Sequence, residues 1–102
     1  MNRGEVWWVG QPDIGRRPAL ILTRSEAIPV LRRVMVVPAT RTVRGIPTEV
    51  PLDADDGMPA ACALSLDNVR TVPKAMLTEP ITRLGIDRML EVCVALGHAT
   101  GC

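Results

Sequence analysis

Apolar positions in this chain come in short runs separated by Gly, Pro and polar pairs, which predicts strands and tight connections up to about residue 85. Residues 6–9 form the first β-prone run, bounded by Gly4 and by a Gly10–Gly15 loop that holds Pro12. The second strand begins at Arg17. Its residues 18–23 are apolar almost throughout, as in a strand covered on both faces or in a small curved barrel. Residues 31–37 give a third strand, which Pro38 is expected to end because proline brings no ladder donor. Strands at 48–52, 62–66, 69–72 and 81–84 follow, with an exposed loop at 53–59 and a single helical turn at 73–77. Asp67 and Asn68 lie at a bend between two of them.

From residue 86 the period changes. Ile86, Met89, Leu90, Cys93, Val94 and Gly97 recur at helical spacing, so residues 86–97 are expected to form an amphipathic helix with that face on the sheet. Five or six strands and then one helix predict a mainly β (α+β) fold: a small antiparallel barrel with a C-terminal α-helix. At 102 residues there is room for one domain, 1–102.

Composition narrows the chemistry. The chain is 47% hydrophobic and 23% charged, the balance of a globular protein, yet Trp7 and Trp8 are its only aromatics. Adjacent in one strand, they must point to opposite faces, one toward the core and one free to line a groove. A net charge of +1 does not by itself imply a long basic groove. The positive charge is nonetheless concentrated in arginines of the first half, and Lys74 is the only lysine. A guanidinium fork can hold phosphate through two donors, although an arginine-rich genome produces the same bias. Cys62, Cys93 and Cys102 lack metal-ligand spacing and are odd in number, so neither a metal site nor a disulfide framework is expected, and no cofactor motif is present. With no signal-like stretch after Met1 and no apolar run approaching the ~20 residues of a membrane span, a cytoplasmic protein is expected, with no membrane association.

His98 is the only histidine, which excludes a two-histidine ribonuclease mechanism, and there is neither a phosphate-binding glycine loop nor a nucleophile elbow. Two clusters remain: Arg16-Arg17-Pro18 where the second strand begins, and Thr40-Arg41-Thr42 beyond the third.

The order of short motifs here resembles that of the MazF/PemK toxins. Arg3-Gly4-Glu5-Val6-Trp7 is similar to the family's opening, and Arg17-Pro18-Ala19-Leu20 to its Arg-Pro strand. Val36 to Thr42 is similar to the apolar strand that runs into threonines, Pro47 to Val50 to a Pro-Thr-Glu-Val strand, and Asp67-Asn68-Val69-Arg70 to the strand that follows. Arg83-Leu84-Gly85 corresponds to the opening of the last helix, so the likeness spans the full length, most of all to mycobacterial members. It implies an SH3-like barrel of the MazF/PemK/CcdB type that forms a homodimer. It also implies a metal-independent, sequence-selective endoribonuclease acting on single-stranded RNA by 2′-hydroxyl attack, neutralised by a cognate antitoxin. Carried over, the catalytic residues are Arg17 and Thr40. Arg16, Arg41 and Arg44 would contact RNA phosphates and Thr42 would also bind RNA, while Asp67, along with Asn68, would orient a base edge or a backbone amide. Base selectivity would depend on the loops at 10–16 and 53–60. Arginine stays protonated, so the general base is left open among Glu5, Glu49 and Asp67. The rival reading is a non-enzymatic CcdB-like toxin that binds a topoisomerase with the same barrel.

Overall fold

The computed structural model describes residues 1–11 and 15–102. Seven strands, β1 (Glu5–Gln11), β2 (Gly15–Ile21), β3 (Arg33–Thr40), β4 (Glu49–Leu52), β5 (Cys62–Ser65), β6 (Arg70–Pro73) and β7 (Leu77–Arg83), precede one helix, α1 (Ile86–Thr100). They lie in the order β4-β5-β3-β2-β1-β7, with β6 also on β3, and every pairing is antiparallel.

Of the expected loop at 10–15, the described residues Gly10, Gln11 and Gly15 belong to the ladder. Gly10 pairs with Arg16 and Gln11 with Gly15, and the expected turn proline, Pro12, lies outside the described residues. Gly10 allows this close pairing: its φ is +104°, and an added Cβ would meet the Gly15 carbonyl oxygen at 2.7 Å.

Pro38 does not end β3 as expected, because the strand runs on to Thr40. Along one edge β3 pairs with β2. Along the other it pairs with β6 over residues 33–36 and with β5 at Ala39 and Thr40. Pro38 falls at that changeover, where the second edge has no ladder partner to lose. Residues 31 and 32 lie outside the strand, preceded by a 3-10 turn over Ser25–Val30 that hydrophobic pattern alone does not mark. The turn expected at 73–77 is present as a 3-10 turn, Lys74–Met76.

The central strands bury both faces, which explains their continuous apolar runs. One face carries Val6, Leu20, Leu22, Val37 and Ala39 into a core completed by β4, β5, Leu84, Val92 and Ala95. The other packs Ala19, Ile21, Val34 and Val36 against Ile28 and Leu77, with Trp7 laid on this second cluster. The sheet curls round the larger core, but its ladder does not close, since β4 and β7 stay unpaired with each other among the described residues. The term barrel therefore applies only loosely. The gap is spanned by side chains and a loop: Thr82 Oγ1 on β7 donates to the Asp56 carbonyl (2.9 Å), and Gly57 lies so close that a Cβ would sit 2.3 Å from that hydroxyl.

The helix differs from expectation in length and in facing. It continues past Gly97 to Thr100 and ends at Gly101, whose φ of +76° and N–H bond to the Gly97 carbonyl (2.8 Å) cap it. Val92 and Ala95 are buried and Met89, Leu96 and Ala99 pack on the core. Ile86, Leu90 and Val94, assigned by periodicity to the core side, are instead 78%, 60% and 64% exposed. The helix carries two apolar stripes, and period alone cannot say which one the sheet covers.

Candidate functional site

The register between β2 and β3 assembles the site. Ala19 pairs with Pro38, Leu20 with Val37 and Ile21 with Val36, so the ladder ends at Ala19–Pro38, and Arg17 and Thr40 each lie two residues beyond it at the same end of the two strands. Two clusters far apart in sequence thereby come to one end of the sheet. A cavity of about 410 Å³ opens there, lined by Arg16, Arg17, Thr40, Arg41 and Thr42 on the strand side. Met58, Pro59, Ala60 and Cys62 form its opposite wall, and Trp8 lies at its flank.

Two of the strand-side residues, Thr40 and Arg16, are held in a way that leaves donors for a ligand. The backbone N–H of Thr42 donates to Thr40 Oγ1 (3.1 Å), which occupies an acceptor position of that hydroxyl and leaves its own proton to give. The Arg16 guanidinium lies 4.6 Å from the centroid of the Trp8 ring and 3.6 Å from Glu79 Oε2. The stacking on Trp8 orients it, whereas the ion pair is well exposed and weak. The two tryptophans do face opposite ways, Trp7 toward the second core cluster and Trp8 toward the cavity.

The wall opposite is positioned from the helix. Asp56 accepts from Arg88 Nε on α1 (3.0 Å), and its second carboxylate oxygen accepts from the Asp53 backbone N–H (3.0 Å). Burial opposes ionisation of Asp56, but these bonds and the charge of Arg88 overcome it and hold its pKa below the ordinary value. The same contacts, together with one to Glu91, raise the Arg88 pKa further. Cys62 is buried in the cavity wall. Burial, reinforced by the negative charge of Asp56 and only partly offset by Arg41, raises its pKa and keeps it a neutral thiol. Sequence reasoning anticipated neither Cys62 nor the stacking of Arg16 on Trp8, since both arise from cross-strand neighbours. Of the 53–60 loop, Met58, Pro59 and Ala60 line the cavity.

Three sites expected from sequence lie elsewhere. Asp67 accepts from Thr48 Oγ1 (2.6 Å) and faces a separate cleft beside Arg3 and Met35. Asn68 Nδ2 donates to Ser65 Oγ (2.7 Å), and neither Asp67 nor Asn68 lines the Arg17–Thr40 cavity. The backbone N–H groups of Arg44 and Gly45 both donate to Glu49 Oε1 (2.8 and 3.0 Å), which closes the turn before β4 and leaves Arg44 off the cavity as well.

The carboxylates considered as a base have comparable structural roles. Glu49 holds that turn and Asp67 holds Thr48, while Glu5 accepts from Trp7 Nε1 (2.8 Å). Burial works against ionisation of Glu5, but the bonds from Trp7 and Asn2 outweigh it and lower its pKa. The residues lining the cavity thus carry three guanidiniums and two threonine hydroxyls, with no carboxylate among those described. Nor, among the described residues, do three or more His, Cys, Asp or Glu gather as a metal site would require. Among the described residues no helix is long and apolar enough to cross a membrane.

Such a site suits an anion with several oxygens, above all a phosphodiester, and an arginine–threonine anion site at the end of a curled antiparallel sheet with a C-terminal helix defines a recognisable class of small β protein. The chain belongs to the PemK-like, MazF-like toxins of type II toxin–antitoxin systems, whose family profile matches residues 2–100. It is 46% identical over 101 residues to the probable endoribonuclease MazF5 of Mycobacterium tuberculosis, covering 98% of this chain and 93% of that protein. It is 40% identical over 103 residues to the probable endoribonuclease MazF2 of the same species, covering the whole of both. Among solved structures it is similar to the Mycobacterium tuberculosis toxin MazF-mt6, with a TM-score of 0.87, 36% identity and coverage of 95% and 96% of the two chains. A mycobacterial endoribonuclease in complex with its cognate antitoxin superposes with a TM-score of 0.88 at 27% identity, over 99% and 95% of the two chains.

Proposed function

We propose that this chain is a cytoplasmic endoribonuclease toxin that acts as one domain, cuts single-stranded RNA at selected sequences without a metal ion, and is neutralised by a cognate antitoxin. The observation that supports the mechanism is the meeting of Arg17 and Thr40 in one cavity, where no carboxylate is found among the described lining residues. Membership in the toxin family and full-length likeness to endoribonucleases support the activity, and likeness to an antitoxin-bound structure supports the partner. These relatives disfavour the rival reading of a CcdB-like topoisomerase binder.

In the proposed reaction the ribose 2′-oxygen bonds to the adjacent phosphorus and loses its proton, while the P–O5′ bond breaks and the departing 5′-oxygen takes up a proton. The products are a 2′,3′-cyclic phosphate and a 5′-hydroxyl. Negative charge builds on the non-bridging oxygens as the fifth bond forms. The Arg17 guanidinium and the Thr40 hydroxyl donate to those oxygens, with Arg16 and Arg41 adding positive field. Arg41 and Thr42 would hold flanking phosphate, and the Met58–Ala60 wall would contact the bases. The protein would work as a homodimer.

Incubating the purified protein with a long transcript in excess chelator tests this reading. Defined fragments with cyclic phosphate ends are expected, and 2′-O-methylation of the RNA should prevent cutting. Cleavage of the 2′-O-methyl RNA, or activity that disappears with chelator and returns with a divalent cation, would contradict it.

A further inference from the structure

Beside the Arg17–Thr40 cavity lies a second cleft of about 520 Å³, and the two share Arg16, Arg17 and Pro18. The floor of the second cleft is apolar, built from Val9, Ala19, Val36 and Val72. Arg70, the first residue of β6, lines it together with Arg17 and pairs with Val36 on β3. It is exposed, and among the described residues no hydrogen bond or ion pair from another side chain engages its guanidinium. None of the described residues lining this cleft is acidic.

An apolar floor bordered by three guanidiniums, in a volume within the usual range for small-ligand sites, matches the two chemistries of a nucleotide: a flat base and an anionic phosphate. An acidic peptide would also find positive charge here, but it would leave the apolar floor without a planar group to cover it. Continuity with the first cavity decides the occupant. Arg17 borders both clefts, so a strand whose phosphate rests on Arg17 has the apolar floor within reach of its neighbouring nucleotide.

We propose that the second cleft is a subsite for the nucleotide flanking the cut, and that Arg70 holds the phosphate of that nucleotide. This rests on the endoribonuclease reading above. Arg70 belongs to binding and does not touch the reacting atoms. Its removal should therefore weaken affinity and leave the rate at saturating RNA unchanged.

The test uses a single-stranded, random-sequence RNA with 2′-O-methyl groups throughout, which binds but lacks the attacking hydroxyl. Kd is measured against salt concentration for the wild-type protein, Arg70→Ala, Arg70→Lys and Arg24→Ala, the last removing an equal charge from an exposed position outside both clefts. Arg70→Ala should raise Kd about five- to tenfold and lower the slope of log K against log salt by about 0.7, the share of one phosphate contact on a single strand. Arg70→Lys should keep the slope, and Arg24→Ala should match wild type. On a cleavable transcript Arg70→Ala should raise KM and spare kcat. Wild-type affinity and slope in Arg70→Ala would overturn the subsite, as would an effect equalled by Arg24→Ala. Unchanged RNA affinity with weakened binding of an acidic antitoxin peptide would assign the cleft to a protein and overturn it too. Failure of the wild-type protein to bind or cut RNA would instead overturn the endoribonuclease reading, a different result from any of these.

Discussion

At the scale of single residues, the hydroxyl of Thr40 shows how a common side chain becomes a directed donor. Its oxygen is occupied by the N–H of Thr42, so the proton is the part left to offer. Thr40→Ala should lower the single-turnover cleavage rate by about 10²-fold, and Thr40→Ser should stay within a few fold of wild type. Single-turnover kinetics on one mapped site would check this, and equal losses in both variants would show that the methyl group matters and the hydroxyl does not. The residue types needed for this chemistry were visible in the sequence, because an arginine pair, a threonine pair and a lone histidine leave few alternatives. Their partners were not. Asp67 and Asn68, expected to orient a base edge or a backbone amide, bond to Thr48 and Ser65, and Arg44, expected to reach phosphate from a turn, has its backbone N–H bonded to Glu49. Short polar side chains satisfy whichever donor or acceptor folding brings near them, and that neighbour comes from a strand distant in sequence.

At the scale of elements, the β2–β3 register does the assembling, and the contact between helix and loop holds the opposite wall. Alternation and proline placement located the strands but could not set register between β2 and β3, which are joined by a segment containing a 3-10 turn. The helix was misread in facing for a related reason: both of its stripes are apolar, and the covered one is chosen by the shape of the core beneath. The Arg88–Asp56 bond links the helix to the cavity loop, and Arg88→Ala should cost about 1 kcal/mol of stability near neutral pH. The sign of its pH dependence follows from Asp56. The folded-state pKa of Asp56 lies below its ordinary value of 3.8, so its contribution is complete above that value and is lost as pH falls through the folded pKa. Denaturant unfolding of both proteins across pH 2 to 7 should show the difference closing below about pH 4. A difference that widens in acid would rule out the ion pair as the link.

At the scale of the whole molecule, the sheet is an open, curled one whose ends are tied by Thr82, Asp56 and Gly57, with α1 sealing the larger core. Fold class was legible because a series of short apolar runs followed by one change of period leaves little choice of architecture, although the sequence suggested five or six strands and the described residues form seven. Closure was not, since it depends on which strands meet at the ends. Homodimerisation belongs to this scale as well. Sedimentation of the purified protein at micromolar concentration should give twice the 11.1 kDa mass of the chain, and a monomer that cuts RNA at full rate would remove the dimer from the mechanism.

The central claim is that Arg17 and Thr40 act on one phosphate, and the single-turnover cleavage rate of Arg17→Ala, measured in chelator beside its melting temperature, tests it most directly. The expected result is a loss of at least about 10²-fold with the melting temperature unchanged, the cost of removing a donor and charge from the developing phosphorane. A folded Arg17→Ala protein that cuts at the wild-type rate would contradict the mechanism.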